Sequence, residues 1–179
     1  MVICVNLIQD TTGTIEVDKT YVGGRWKNKR KSIHDHGTNR GRGTKKQPVF
    51  GILCRNSQVW AEVGDDVESD TLQPLISRKV STGSTVCSDT WKAYTGIAAK
   101  GYVHRLVNHG EKQYSNEKGN HINGLKGFCG FLKRKLVSKG GITKKKLPLY
   151  LAEYVWRYNH RNNSDRIKMR RILLLLENI

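Results

Sequence analysis

The sequence predicts an α/β fold: a mixed sheet, made of three antiparallel strands followed by alternating helices and strands, with flanking helices. Three observations carry this. Thr14–Val22 is an alternating, β-branched run; two further short β-rich runs follow it, joined by Asn56-Ser57-Gln58; and only from Ser69 onward do helical and strand-like segments take turns.

In the first run, TIEVDKTYV, Ile15, Val17 and Lys19 alternate with Glu16, Asp18 and Thr20, so Glu16 and Asp18 share one face of a strand. Gly23 and Gly24 end it. Pro48–Arg55 and Val59–Val63 form a predicted hairpin, completing an antiparallel three-stranded unit. Ser69–Val80 has a cap-like Ser69 and places Leu72, Leu75 and Ile76 at helical spacing, which predicts a helix despite Pro74. Thr85–Ser88 reads as a short buried strand with Asp89 at its end. A helical Trp91–Ala99 and a strand Tyr102–Asn108 follow.

Gly119–Lys139 is an amphipathic helix by its spacing: Leu125, Phe128, Cys129, Leu132 and Leu136 form an apolar stripe, and Asn123, Lys126 and Lys133 share another face. Leu147–Asn162 and Ile167–Leu176 read as further helices packing behind the sheet. The order β-β-β-α-β-α-β-α is that of ribonuclease-H-like folds, in which strand ends bring carboxylates together.

The 179 residues suffice for one domain with a real core, and the formal net charge of +17 calls for a polyanionic partner, nucleic acid first. A basic membrane-surface protein is the rival, but the basic residues lie in loops and on a helix that needs its apolar face for packing. Cys4, Cys54, Cys87 and Cys129 form no CxxC pair, so they encode no zinc ribbon and suit a reducing compartment. No apolar run approaches the ~20 residues of a membrane span, and MVICVNLIQD lacks the basic start and cleavage site of a signal peptide. A cytoplasmic protein with access to DNA is the plain reading.

Gly23–Gln47 carries nine Lys or Arg and one acid, Asp35. It is either a contact to the phosphate backbone, through Arg25, Lys27, Lys29, Arg30 and Lys31, or a solvated insertion; the whole-chain charge agrees with the first. Trp26 within it stacks on a base or packs the loop, and His34 and His36 have no further ligand nearby in sequence to complete a metal site. Asp18 and Asp89 stand at positions where strand geometry brings carboxylates together, as two-metal phosphoryl transfer requires. Asp at a strand end is also an ordinary turn residue, so the pair alone does not settle the chemistry.

The blocks EVDKTYVGG (Glu16–Gly24), STVCSDTWKAY (Ser84–Tyr94), GYVHRLVNH (Gly101–His109), NHINGLKGFCGFLKRKL (Asn120–Leu136) and YLAEYVWRYNHR (Tyr150–Arg161), in this order, resemble the ISXO-like insertion-sequence transposases, a DDE group related to the Merlin elements. The resemblance spans residues 14–165. It implies a ribonuclease-H-like catalytic domain at 14–165 with a basic insertion at 23–47, a short N-terminal remnant at 1–13 and a helical tail at 166–179. It also implies an enzyme that cuts element ends and joins the 3′ hydroxyl to target DNA with two Mg²⁺ or Mn²⁺ ions, acting as a homo-oligomer because two ends must be paired.

Position by position, Asp18 matches the family's first catalytic and metal-binding aspartate and Asp89 the second. The third acid falls on Lys126. His121 and Asn123 match the residues before it, and Lys133 matches a basic residue that faces DNA; with Arg134 these are the expected DNA contacts on the helix. Cys129 stands where the family usually has Trp. A charged lysine has no lone pair to give a metal, and at ~4 Å from a divalent ion it repels it by roughly 8 kcal/mol at an effective dielectric of about 20. The second metal site is therefore expected to be weak or absent, unless Glu16 or Glu117 lends a carboxylate. The alternative is a non-catalytic basic nucleic-acid-binding protein, either a decayed transposase or a ribosome-associated protein. The family's additional N-terminal end-recognition segment is expected to be missing.

Overall fold

The computed structural model describes residues 12–23, 46–55, 57–107, 121–140 and 142–177. Its strands β1 (Thr14–Val22), β2 (Gln47–Cys54), β3 (Val59–Val63), β4 (Thr85–Ser88) and β5 (Val103–Leu106) form one sheet in the order β3-β2-β1-β4-β5. β1 pairs antiparallel with β2 and parallel with β4; β2–β3 is antiparallel and β4–β5 parallel. This is the ribonuclease-H-like mixed sheet expected from the element order.

Each face of the sheet is covered. On one, Ile15, Val17, Phe50, Ile52, Trp60 and Val86 pack with Leu72 and Ile76 of α1 (Ser69–Lys79) and with Tyr94 and Ile97. On the other, Val22, Val49, Leu53, Val59 and Ala61 meet Leu125, Phe128, Leu132 and Leu136 of α2 (Asn123–Val137), and Leu151, Tyr154 and Val155 of α3 (Leu147–Asn159). β1 is central and must bury residues on both faces, which is why its alternation is not simply polar against apolar. Asn159 closes part of the β3 edge: its Oδ1 accepts from Val59 N at 2.8 Å and its Nδ2 donates to Val59 O at 2.9 Å.

Several expectations need correcting. The stretch Trp91–Ala99 is not one helix but two 3-10 turns, Lys92–Tyr94 and Ile97–Lys100, because Gly96 between them is left-handed at φ 89°. Ser69 does not cap α1; Glu68 holds the cap position without a side-chain bond, and Asp66 Oδ1 accepts from Glu68 N instead. α2 begins at Asn123, β5 is shorter than predicted, and α3 ends at Asn159.

The last helix, α4 (Asp165–Leu176), has no buried residue. Ile172 to Leu176 stay exposed, Leu176 to 61%, since α2 and α3 already cover the sheet face it was expected to join. The basic residues Arg25, Lys27, Lys29, Arg30 and Lys31, together with Trp26, His34, His36 and Glu117, lie outside the described residues.

Candidate active site

Asp18 lies on the α2 face of β1, directly across from Gly51 of β2. A Cβ on Gly51 would come within 2.9 Å of Leu125 Cδ1, so the glycine is what lets α2 approach the sheet beside Asp18. β1 and β4 pair in parallel with Glu16 opposite Cys87, and the same register carried past the end of β4 sets Asp18 beside Asp89. Asp18 Oδ1 accepts from Lys19 N at 2.8 Å. Burial raises the Asp18 carboxyl to about 6; the Lys19 N–H bond opposes this, the Asp89 charge adds to it, and the charges of Lys19 and Lys126 offset it.

Asp89 is held by both oxygens, Oδ1 accepting from Trp91 N at 3.1 Å and Oδ2 from Lys19 Nζ at 3.0 Å. Its carbonyl accepts the Ser88 hydroxyl at 2.8 Å, and Ser88 Oγ is also 2.8 Å from His104 Nε2. Tyr94 lies against the acid pair; burial, then the charges of Asp18 and Asp89, push its phenol well above the usual range.

Lys126 and Cys129, one turn apart on α2, lie near Asp18, and Lys133 follows one turn beyond Cys129. Lys126 is exposed, and its charge acts on Asp18. Burial pushes the Cys129 thiol up to about 12, with the Asp18 charge adding and Lys133 opposing. Lys133, Arg134 and Asn123 are exposed on α2.

Glu16 does not serve as a substitute acid. Its carboxylate is wholly buried: Oε2 accepts from Leu125 N at 2.9 Å, and Oε1 accepts from Arg55 Nε at 3.1 Å and lies 3.1 Å from His121 Nδ1. α2 has Ile122 at its cap position with no local side-chain cap, so Glu16 supplies the missing acceptor from the sheet and meets the helix dipole with the favourable sign. Arg55 also donates to His121 O at 2.9 Å. His121, expected to face DNA, instead lies between Glu16 and the first turn of α2: its Nδ1 is 3.1 Å from Glu16 Oε1 and accepts from Asn123 N at 3.4 Å. Glu153 pairs with Arg157 at 2.8 Å.

Two residues at this site were not singled out from the sequence, Lys19 and Arg55. Strand alternation sends Lys19 away from Asp18, and only the end of β4 brings Asp89 within its reach. Among the described residues no three His, Cys, Asp or Glu side chains gather as a metal-holding group. Asp18 and Asp89 are adjacent, but Lys19 already pairs with Asp89 and the charge of Lys126 acts on Asp18. This donor set does not fit a two-ion centre.

Residues 11–159 match the ISXO2-like transposase domain, and the chain belongs to that family. An uncharacterized transposase-like protein of Haemophilus influenzae is 34% identical over 112 residues, covering 63% of this chain and 89% of that protein. Among solved structures, the catalytic core domain of BIV integrase is similar with a TM-score of 0.46 at 15% identity, over 79% of this chain and 81% of that one. No helix among the described residues is long and apolar enough to cross a membrane.

Proposed function

We propose that this chain is the catalytic domain of an insertion-sequence transposase that binds element ends and target DNA in the cytoplasm, at the nucleoid, as a homo-oligomer. Its strand cleavage and strand transfer are impaired by the lysine at the third acidic position. The observation that carries this reading is the juxtaposition of Asp18 and Asp89 beneath α2, with Lys126 and Cys129 of the helix near Asp18 and Lys133 one turn beyond Cys129. The net charge of +17 supports a DNA partner.

In this reading Asp18 and Asp89 are the remaining catalytic acids, and Lys133, Arg134 and Asn123 line the approach of the DNA backbone. His121 acts behind them, through Glu16, in holding the first turn of α2. The basic segment 23–47 adds phosphate contacts through Arg25, Lys27, Lys29, Arg30 and Lys31. Mg²⁺ or Mn²⁺ is the cofactor that the family implies, and the present donors fall short of holding it as a pair of ions.

The test is strand transfer of pre-cut element-end DNA in Mg²⁺ and Mn²⁺ by the chain and by its Lys126→Glu variant. The variant is expected to join strands measurably faster, since it exchanges a repelling charge for a ligand. Equal activity of the two proteins would overturn the assignment of Lys126 as the impairing residue. Absence of DNA binding by both would overturn the transposase reading itself.

A further inference from the structure

Lys19 follows Asp18 in sequence but projects to the other face of the sheet, where its ammonium lies 5.2 Å from the Trp91 ring centroid and 5.4 Å from that of Tyr94. From there it reaches round the end of β4 to Asp89 Oδ2 at 3.0 Å, with only 12% of its side chain exposed. Two aromatic faces and a carboxylate therefore surround one cation in a largely enclosed position. Each attracts the ammonium, and together they fix where it sits.

We propose that the Lys19 ammonium is a resident counter-ion of Asp89, taking the place of a divalent cation on that carboxylate and tying the ends of β1 and β4 together without metal. The assignment rests on reading Asp18 and Asp89 as the acid pair of a transposase domain. A divalent ion entering there meets an oxygen that already has its cation, and meets the charge of Lys126 on the Asp18 side. Two carboxylates and two ammonium groups leave the cluster without the net negative charge that draws a divalent ion in. Restoring the acid at position 126 alone therefore leaves half of the obstruction in place.

The experiment is an Mn²⁺ titration of the full chain by calorimetry, together with paramagnetic broadening of backbone amide signals, on the native protein, Lys126→Glu, Lys126→Glu/Lys19→Gln and Lys126→Glu/Lys19→Arg. The native chain is expected to show no broadening centred on Asp18 and Asp89. Replacing Lys19 by Gln in the Lys126→Glu protein is expected to tighten Mn²⁺ binding by at least about tenfold, as the loss of a unit charge near a divalent ion implies. The Arg exchange, which keeps the charge, is expected to leave binding as weak as in Lys126→Glu.

Broadening centred on Asp89 in the native chain, or equal affinities for Lys126→Glu and its Gln double variant, would overturn the proposal. So would Mn²⁺ binding by the Arg variant as tight as by the Gln variant. If the Gln double variant does not fold, Lys126→Glu/Lys19→Met, which also removes the charge, takes its place in the comparison. Duplex DNA binding of the native chain in EDTA, followed by fluorescence anisotropy, is expected to persist. Its loss would overturn the transposase reading while leaving the Lys19 assignment to stand or fall on the Mn²⁺ data.

Discussion

Glu16 of β1 accepts the backbone N–H of Leu125 at 2.9 Å, so the helix that carries Lys126 is capped by the strand that carries Asp18. The same carboxylate binds Arg55 and His121, and it is fully buried. Asp18 and Lys126 are thereby linked through one side chain, which lies two residues from Asp18 on β1 and accepts the N–H of the residue before Lys126. The position of α2 over the sheet depends on this contact as much as on its apolar stripe.

Removing this carboxylate is expected to be costly. Glu16→Ala leaves Arg55 with an uncompensated, partly buried charge and Leu125 N unsatisfied, and should lower stability by about 3–5 kcal/mol. Glu16→Gln keeps an acceptor and should lose roughly 1–3 kcal/mol. Urea unfolding of both variants checks the order; an Ala variant no less stable than the Gln variant would refute the capping role.

Two glycines of α2 should respond oppositely to alanine. A Cβ on Gly124 would sit 3.1 Å from Glu16 Oε2 and 3.1 Å from Leu53 Cδ2, and Glu16 is pinned by its bonds and cannot yield. Gly124→Ala is expected to destabilise by about 1–3 kcal/mol. Gly127 is exposed and a Cβ there meets nothing within 4 Å, so Gly127→Ala should gain up to about 1 kcal/mol. Thermal melts of the two variants distinguish these outcomes.

The acid pair imposes a pH dependence on stability. Burial lifts Asp18 from 3.8 to about 6, so between these values the folded chain holds a proton that the unfolded chain has released. Stability therefore falls as pH rises from about 4 through 6, by at most roughly 3 kcal/mol. Asp18→Asn should flatten that part of the profile and be the more stable protein at pH 7.5. Urea midpoints recorded in EDTA across pH 4–8 provide the measurement, and an unchanged slope in the variant would exclude Asp18 as its source.

Salt dependence separates the basic insertion from the helix. Changing Arg25, Lys27, Lys29 and Lys31 together to Gln should reduce the slope of log K against log salt by about 3–4 if each contacts a phosphate, whereas Lys133→Ala should reduce it by about 1. Anisotropy titrations between ~50 and ~200 mM salt read both values. A slope unmoved by the fourfold change would mean that segment 23–47 is not a DNA contact.

By itself the sequence determined the strands β1, β2, β3 and β4, the helix periodicity of α1, α2 and α3, and the family, because β-branched alternation, apolar spacing and ordered motif blocks are local properties of the chain. It also placed Lys126 on the helix that covers the acid pair. Tertiary structure decided the rest. Whether Glu16 is a spare ligand or a helix cap depends on which backbone N–H groups lie against it, and those belong to a segment more than a hundred residues away. The partner of Lys19 depends on β4 ending where it does, which period-two alternation along β1 cannot express. The exposure of α4 depends on α2 and α3 having already filled the sheet face. In each case the deciding contact is between residues distant in the chain, brought together by strand register and helix packing rather than by sequence spacing.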